Sequence, residues 1–343
     1  MGWGSVQDNN MSYVLLKSLL AWLVMAAGFR ASLHAADEFI RLTDVQAAFE
    51  RVSADGTLHT FSCGEPGVPP GGHIQGIQLK HDAAGKRWLA FLSHDSQSQG
   101  YVLVASFPPQ WQGSGELLHV HKFAPGRLRH AGGMQLLGDV LAVGLEDNRS
   151  KDRSEIQFWN VAEPTAWRQL SHLKIARSGL PKDKTSGAVG IIRMSDDVLV
   201  AVGNWDCRAI DFYRSSTVIL SDKDCRFAAA GRWLVDSADR SNWQPDQEFG
   251  SYQSINFVEQ SDGSLYLLGF HQDSRGRDFA DLYAVDLDVE ANRWLRKIAT
   301  RELQLAAANH FKYGGGLLLV DDGMWFLSTE RSLSDNVRIN IAR

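Results

Sequence analysis

Downstream of residue 73 the chain is punctuated rather than helically periodic. Short apolar runs rich in Val, Ile, Leu and aromatics alternate with clusters of Gly, Asp, Ser and Asn, the pattern of strands and turns. The runs recur in the same order five times. The first unit reads HIQGIQL from His73, then WLAFLSHD, GYVLVASF and ELLHVHKF. The second reads HAGGMQL from His130, then DVLAVGLED, EIQFWNV and RQLSHLKI. The third reads GAVGIIRM from Gly187, then DVLVAVGNWD and AIDFYRS. The fourth reads SYQSINFV from Ser251, then SLYLLGFHQD, DLYAVDL and RWLRKIA. The fifth reads HFKYGGGLLLV from His310, then GMWFLSTE and VRINIAR.

Corresponding positions Gly76, Gly133, Gly190, Ser254 and Gly316 lie roughly 57 to 64 residues apart. Four short antiparallel strands per unit make a propeller blade, with the first strand innermost, so the pattern predicts an all-β, five-bladed β-propeller over residues 73–343. The fifth unit ends at Arg343 after its third strand, whereas residues 57–62 (TLHTFS) form a spare strand ahead of the first unit. Pairing that strand beside residues 337–342 completes the last blade and closes the ring, which removes an exposed edge. The segment RLTDVQAAFERV before it is read as a short helix or an irregular cap. Trp111, Trp167 and Trp294 each stand at the start of a fourth strand and are expected to anchor blade packing. In the third unit Trp233 is their equivalent if residues 216–231 are an insertion; otherwise residues 216–221 (STVILS) are the fourth strand.

The resemblance is to the propeller architecture as a whole. The Gly-His and Trp-Asp pairs of WD40 repeats are absent as a set, and the Gly-Gly doublet of kelch repeats has counterparts only at Gly132–Gly133 and residues 314–316. Five-bladed glycosidases look similar in blade count but use carboxylates on the innermost strands, where this chain carries Gln78, Gln135 and Asn256.

In a propeller the loops entering the first strand and leaving the second open on one face. Two polar sets map there. His73, His130 and His310 stand at the start of three first strands, and neutral imidazole is the commonest metal ligand, so they are the candidate metal residues for a divalent cation. Asp95, Glu146, Asp206, Asp273 and Glu330 follow the second strands and are the candidate ligand-binding residues, able to hold a cation or to perturb one another's ionisation. The plainer alternatives are a separate structural partner for each His and ordinary turn chemistry for each acid. The sequence holds no G-x-S-x-G elbow, H-E-x-x-H or P-loop. The first function considered is therefore an extracytoplasmic binding or scaffold module for a protein, peptide or glycan ligand. The alternative is a metal-assisted hydrolase or lyase, with Glu146 or Asp206 as general base.

Composition narrows this only a little. The 343 residues are 44% hydrophobic and 22% charged, a globular balance, and a net charge of −5 argues against nucleic acid as a partner. Of the three cysteines, Cys63, Cys207 and Cys225, the last two share a unit and are the better disulfide pair, against three separate buried thiols. No C-x-x-C suggests zinc.

Lys17 precedes an apolar run at residues 18–29, followed by small residues ending at Ala35 and Ala36, the layout of a secretory signal with Met11 as a second possible start. No apolar run reaches the length of a membrane span. The expected organisation is a signal peptide at 1–35, a segment with the closing strand at 36–72, and the repeats at 73–343, in a secreted or periplasmic protein. N-terminal sequencing of the exported product is expected to begin at Ala36 or Asp37; a soluble cytoplasmic product retaining Met1 or Met11 would refute export.

Overall fold

The computed structural model describes residues 1, 40–64, 68–306, 308–321 and 323–343, so the expected signal segment lies outside the described residues. The fold is all-β, with one α-helix among the described residues, α1 (Val45–Arg51). Asp44 caps α1 by accepting the Ala47 N–H at 2.8 Å, and Phe49 on its buried face meets Phe326 at a ring separation of 5.5 Å.

Each sequence unit folds as an antiparallel sheet in chain order. The first holds β2 (Ile74–Asp82), β3 (Arg87–His94), β4 (Tyr101–Phe107) and β5 (Gly115–Lys122). The second holds β6 (His130–Leu137), β7 (Val140–Glu146) and β8 (Arg153–Asn160), with β9 (Arg168–Gln169) and β10 (Ile175–Ser178) both on the free edge of β8. The third holds β11 (Ala188–Arg193), β12 (Val198–Gly203), β13 (Ala209–Ser215) and β14 (Phe227–Leu234). The fourth holds β15 (Ser254–Glu259), β16 (Leu265–Gln272), β17 (Asp278–Val285) and β18 (Leu295–Leu303). The last holds β19 (Asn309–Val320), β20 (Gly323–Glu330) and β21 (Asn336–Ala342). Its fourth strand is β1 (Gly56–Ser62), which pairs antiparallel with β21 from Gly56↔Ala342 to Ser62↔Asn336. This is the pairing expected from the spare strand. A short parallel contact from Phe61 and Ser62 to Gly115 and Glu116 then joins the last sheet to the first.

The third sheet follows neither sequence alternative in full: residues 216–221 are not a strand, and Trp233 stands near the end of the fourth strand rather than at its start. Its fourth strand is β14, containing Trp233, and residues 216–226 form the intervening loop with Cys225. Cys207 and Cys225 are not joined: both are buried thiols without a disulfide, which corrects the expected pairing. Cys207 packs beneath Gly203, and the Cys225 thiol lies 3.8 Å from the Thr217 carbonyl, so each is held by its own surroundings.

The apolar runs are buried on both faces because each sheet lies against the next. Phe212 and Trp233 of the third sheet pack with Phe257 and Tyr283 of the fourth, and Phe270 of the fourth packs with Phe311 and Phe326 of the last. Trp111 and Trp294 sit in these intersheet cores, Trp294 against Phe212 at 5.3 Å. The first strands touch in a closed cycle, β2 to β6 to β11 to β15 to β19 and back to β2. Their close approach needs missing side chains. A Cβ on Gly316 would fall 1.8 Å from the Ile77 carbonyl, and one on Gly133 would fall 2.9 Å from the Ala188 Cα. Glutamines on these strands tie them together. Gln135 Oε1 accepts the Ile191 and Phe257 N–H groups, both at 2.9 Å, while its amide donates to the Phe257 carbonyl at 3.0 Å.

Asp278 pins β19 to the fourth sheet by accepting the Phe311 N–H at 2.7 Å. Burial pushes its carboxyl up to about 6, against the stabilising pull of that N–H. Between about pH 4 and 6 the folded chain holds a proton that the unfolded chain releases, so this group costs stability as pH rises, with the full cost above about pH 6. Asp278→Asn, which keeps the acceptor oxygen, is expected to raise the melting temperature. The gain is smallest near pH 4 and largest above pH 6, and thermal melts of both proteins across that range measure it.

Candidate functional site

Strand register places the start of each first strand beside the end of each second strand: Ile74↔His94, His130↔Glu146 and Asn309↔Glu330. At this end the structure brings together His73, Asp95 and His130, whose ligand-type atoms all lie within 4.8 Å of one another. Gly72, at φ +84°, makes the turn into the first sheet, and a Cβ there would strike the Asp95 carbonyl at 2.1 Å. That turn lets the His73 N–H donate to Asp95 Oδ1 at 2.6 Å, with the His73 ring Nδ1 3.1 Å from the same oxygen. His130 Nε2 is 3.8 Å from Asp95 Oδ2. The Gln75 amide nitrogen sits between the imidazoles, 2.5 Å from His73 Nε2 and 2.9 Å from His130 Nε2.

Glu146 lies behind His130, fully buried. It accepts the Ser186 N–H at 2.6 Å and the Trp205 indole N–H, and its Oε1 is 3.2 Å from His130 Nδ1. Glycines admit this contact: a Cβ on Gly132 or Gly144 would lie 2.5 Å from the Ser186 carbonyl, so the loop carrying Ser186 can rest on the β6–β7 hairpin. Burial opposes a charge on His130, but Glu146, assisted by Asp95, outweighs it and raises the imidazole above its ordinary value. Burial likewise opposes ionisation of Asp95, yet His73 and His130 hold its carboxyl down at about 2. His94, next in the chain, stacks on Tyr101 at 4.8 Å, and burial lowers it to about 4.

The other expected site residues stand apart. His310 is not in the His73 cluster; its ring meets Tyr313 at 5.4 Å, and burial lowers its pKa. The irregular pairing of β19 between His310 and Gly315 brings Tyr313, rather than the imidazole, to within 4.9 Å of His73. The third member of the cluster is Asp95. Asp206 is exposed, at φ +63°, with Gln253 donating to it at 3.2 Å. Asp273 is tied to Arg277 in a pocket on the fourth sheet. Glu330 accepts from Ser334 Oγ and the Arg338 N–H, both at 3.0 Å, and so organises its own loop. Sequence reasoning missed Gln75, Tyr313 and Trp205. Gln75 sits inside a strand, and no spacing rule marks a single amide there.

Glu146, expected as a ligand-binding residue or general base, is fully buried behind His130, so its replacement bears on stability as well. Glu146→Gln turns one of its acceptors into a donor facing N–H groups. It is expected to cost about 1–3 kcal/mol of stability, measured by chemical denaturation.

No protein-family model and no curated protein sequence matches the chain. Among solved structures it is similar to a fructofuranosidase from Schwanniomyces occidentalis complexed with fructosylnystose, at 10% identity and a TM-score of 0.52, over 88% of this chain and 60% of that one. A second structure of that enzyme, complexed with fructose, has a TM-score of 0.49 at 10% identity, over 84% of this chain and 56% of that one. An α-L-arabinofuranosidase from Podospora anserina complexed with cellotriose has a TM-score of 0.48 at 10% identity, over 85% and 98%. The chain thus spans under two thirds of the fructofuranosidase chain. At this identity the likeness establishes an all-β scaffold in common.

Proposed function

We propose that residues 73–343 form a five-bladed β-propeller closed by β1, exported by the segment at 1–35, and that the protein is a cation-dependent hydrolase or lyase acting on a glycan. The propeller reading is supported by the closed cycle of first strands and by the β1–β21 pairing. The glycan is the first substrate class to test because the fructofuranosidase with a similar scaffold was solved with fructosylnystose. This reading is preferred to a purely binding role because of one observation: two imidazoles and a carboxylate converge at the mouth, with a buried carboxylate behind one imidazole.

That arrangement fits a metal. Glu146 beside Nδ1 orients His130 so that Nε2 faces Asp95, the second-sphere device that fixes metal-bound histidines. Two nitrogen donors and one carboxylate favour a first-row transition metal over calcium, which takes oxygen ligands. The Gln75 amide nitrogen lies between the imidazoles, so a cation held by them would require this amide to turn aside or to present its oxygen. A bound cation would supply Lewis acidity and an activated water. The chain's own part is positional: Asp95 holds His73 through its N–H, and Glu146 holds His130. Glu146, saturated by donors and buried, is a positioning residue in place of the general base first considered.

Protein purified from medium supplemented with zinc and manganese is expected to carry about one equivalent of one of these metals. His73→Ala and Asp95→Ala should lose it. Glu146→Gln should weaken binding by roughly 10–100-fold. Elemental analysis with competitive chelation reads all three. Metal-free wild-type protein that cannot be loaded by either ion would overturn the cation reading.

A further inference from the structure

A second concavity lies on the fourth sheet, away from the His73 cluster. It has a volume of about 430 Å³ and is lined in part by Phe249, Ser251, His271, Asp281, Lys297 and Thr300. Its floor is an ionic network that is already complete. Asp281 is buried and receives Thr300 Oγ1 at 2.6 Å and Tyr252 OH at 2.5 Å, with His271 Nε2 at 3.3 Å. Lys297, also buried, reaches Asp246 at 2.5 Å and stands 4.0 Å from Asp281. On the rim Asp273 is held by Arg277 at 2.8 Å, and Arg277 also faces Glu302 at 3.5 Å. Glu248, exposed, is the lining carboxylate with no cationic partner among the described residues.

We propose that this pocket binds a neutral saccharide unit. The charge balance selects against anions. Lys297 and Arg277 are each committed to carboxylates, so a phosphate, sulfate or uronate entering the pocket meets excess negative charge and no free cation. A simple amine fits little better, because the buried carboxylate already has its acceptors filled and only Glu248 remains. Hydroxyl groups at Ser251, Ser274 and Thr300 and the acceptor at Glu248 suit a ligand that both donates and accepts at several points. Half-buried Phe249, backed by Tyr252 at 4.7 Å, offers an apolar surface for the C–H face of a sugar ring. The volume falls within the range of small-ligand sites. The pocket shares its ligand class with the proposed function but makes no use of the cation, so a glycan chain engaged here is held independently of chemistry at the mouth.

The test is saturation-transfer NMR and calorimetry on the mature protein with cellotriose, xylotriose, maltotriose and fructosylnystose, and with trigalacturonate and spermidine as charged probes. At least one neutral oligosaccharide is expected to bind, equally well before and after chelator treatment. Ser251→Trp, on an exposed loop, should fill the pocket and weaken that binding at least tenfold. Glu248→Ala, at an exposed position that leaves the floor intact, should weaken it several-fold. Metal content should be unchanged in both variants. Absence of binding by all four neutral probes, binding insensitive to both variants, or binding of trigalacturonate or spermidine that Ser251→Trp abolishes would each overturn the proposal. If wild-type protein can be loaded by neither metal and still binds the sugar, the cation reading falls and this one stands.

Discussion

The close approach of the five first strands is the constraint on which the rest depends. It is possible only where side chains are missing, at Gly133 against Ala188 and at Gly316 against the Ile77 carbonyl. Once the strands are that near, buried backbone groups facing the centre need partners other than water. Gln135 provides them, reaching from the second sheet to Ile191 on the third and Phe257 on the fourth. Amides suit this task better than carboxylates, because an amide donates and accepts at once and brings no charge into a buried centre.

The His73 cluster is a product of the same closeness. His73 and Asp95 belong to the first sheet, His130 and Glu146 to the second, and the Ser186 N–H to the loop entering the third. Glycines at 132 and 144 let that loop rest on the second sheet. The buried carboxylate of Glu146 is tolerated because a backbone N–H, an indole and an imidazole surround it. Stability and site geometry are coupled here: the contacts that orient His130 also fasten the second sheet to the third.

A similar economy recurs on outer strands. Asp281 on β17 and Asp211 on β13 are both buried acids met by cations, Lys297 in one case and Arg177 with Lys184 in the other. Around Asp211 the cations come from neighbouring segments, Arg177 at 2.7 Å and Lys184 at 3.1 Å. Around Asp281 the loop preceding β15 stands back and leaves a concavity.

Much of the scaffold was legible in the chain itself. Five repeats of apolar runs at strand spacing, a surplus strand before the first unit and a missing one after the last point to the sheets and to the β1–β21 pairing, because strand alternation and turn residues are local signals. The end of each sheet bearing His73, His130 and the acids was legible for the same reason, since antiparallel pairing returns the second strand to where the first began. Which of those residues meet was not. An irregularity in β19 turns Tyr313 rather than His310 toward His73, burial converts Glu146 from a loop acid into an anchor, and Asp273 and Glu330 close their own turns. Cys207 and Cys225 share a unit yet remain apart for a like reason, each packed against a different partner. Local pattern determined the elements and their order; contacts between sheets, set by where a Cβ is absent and which buried polar atom finds a partner, decided the site.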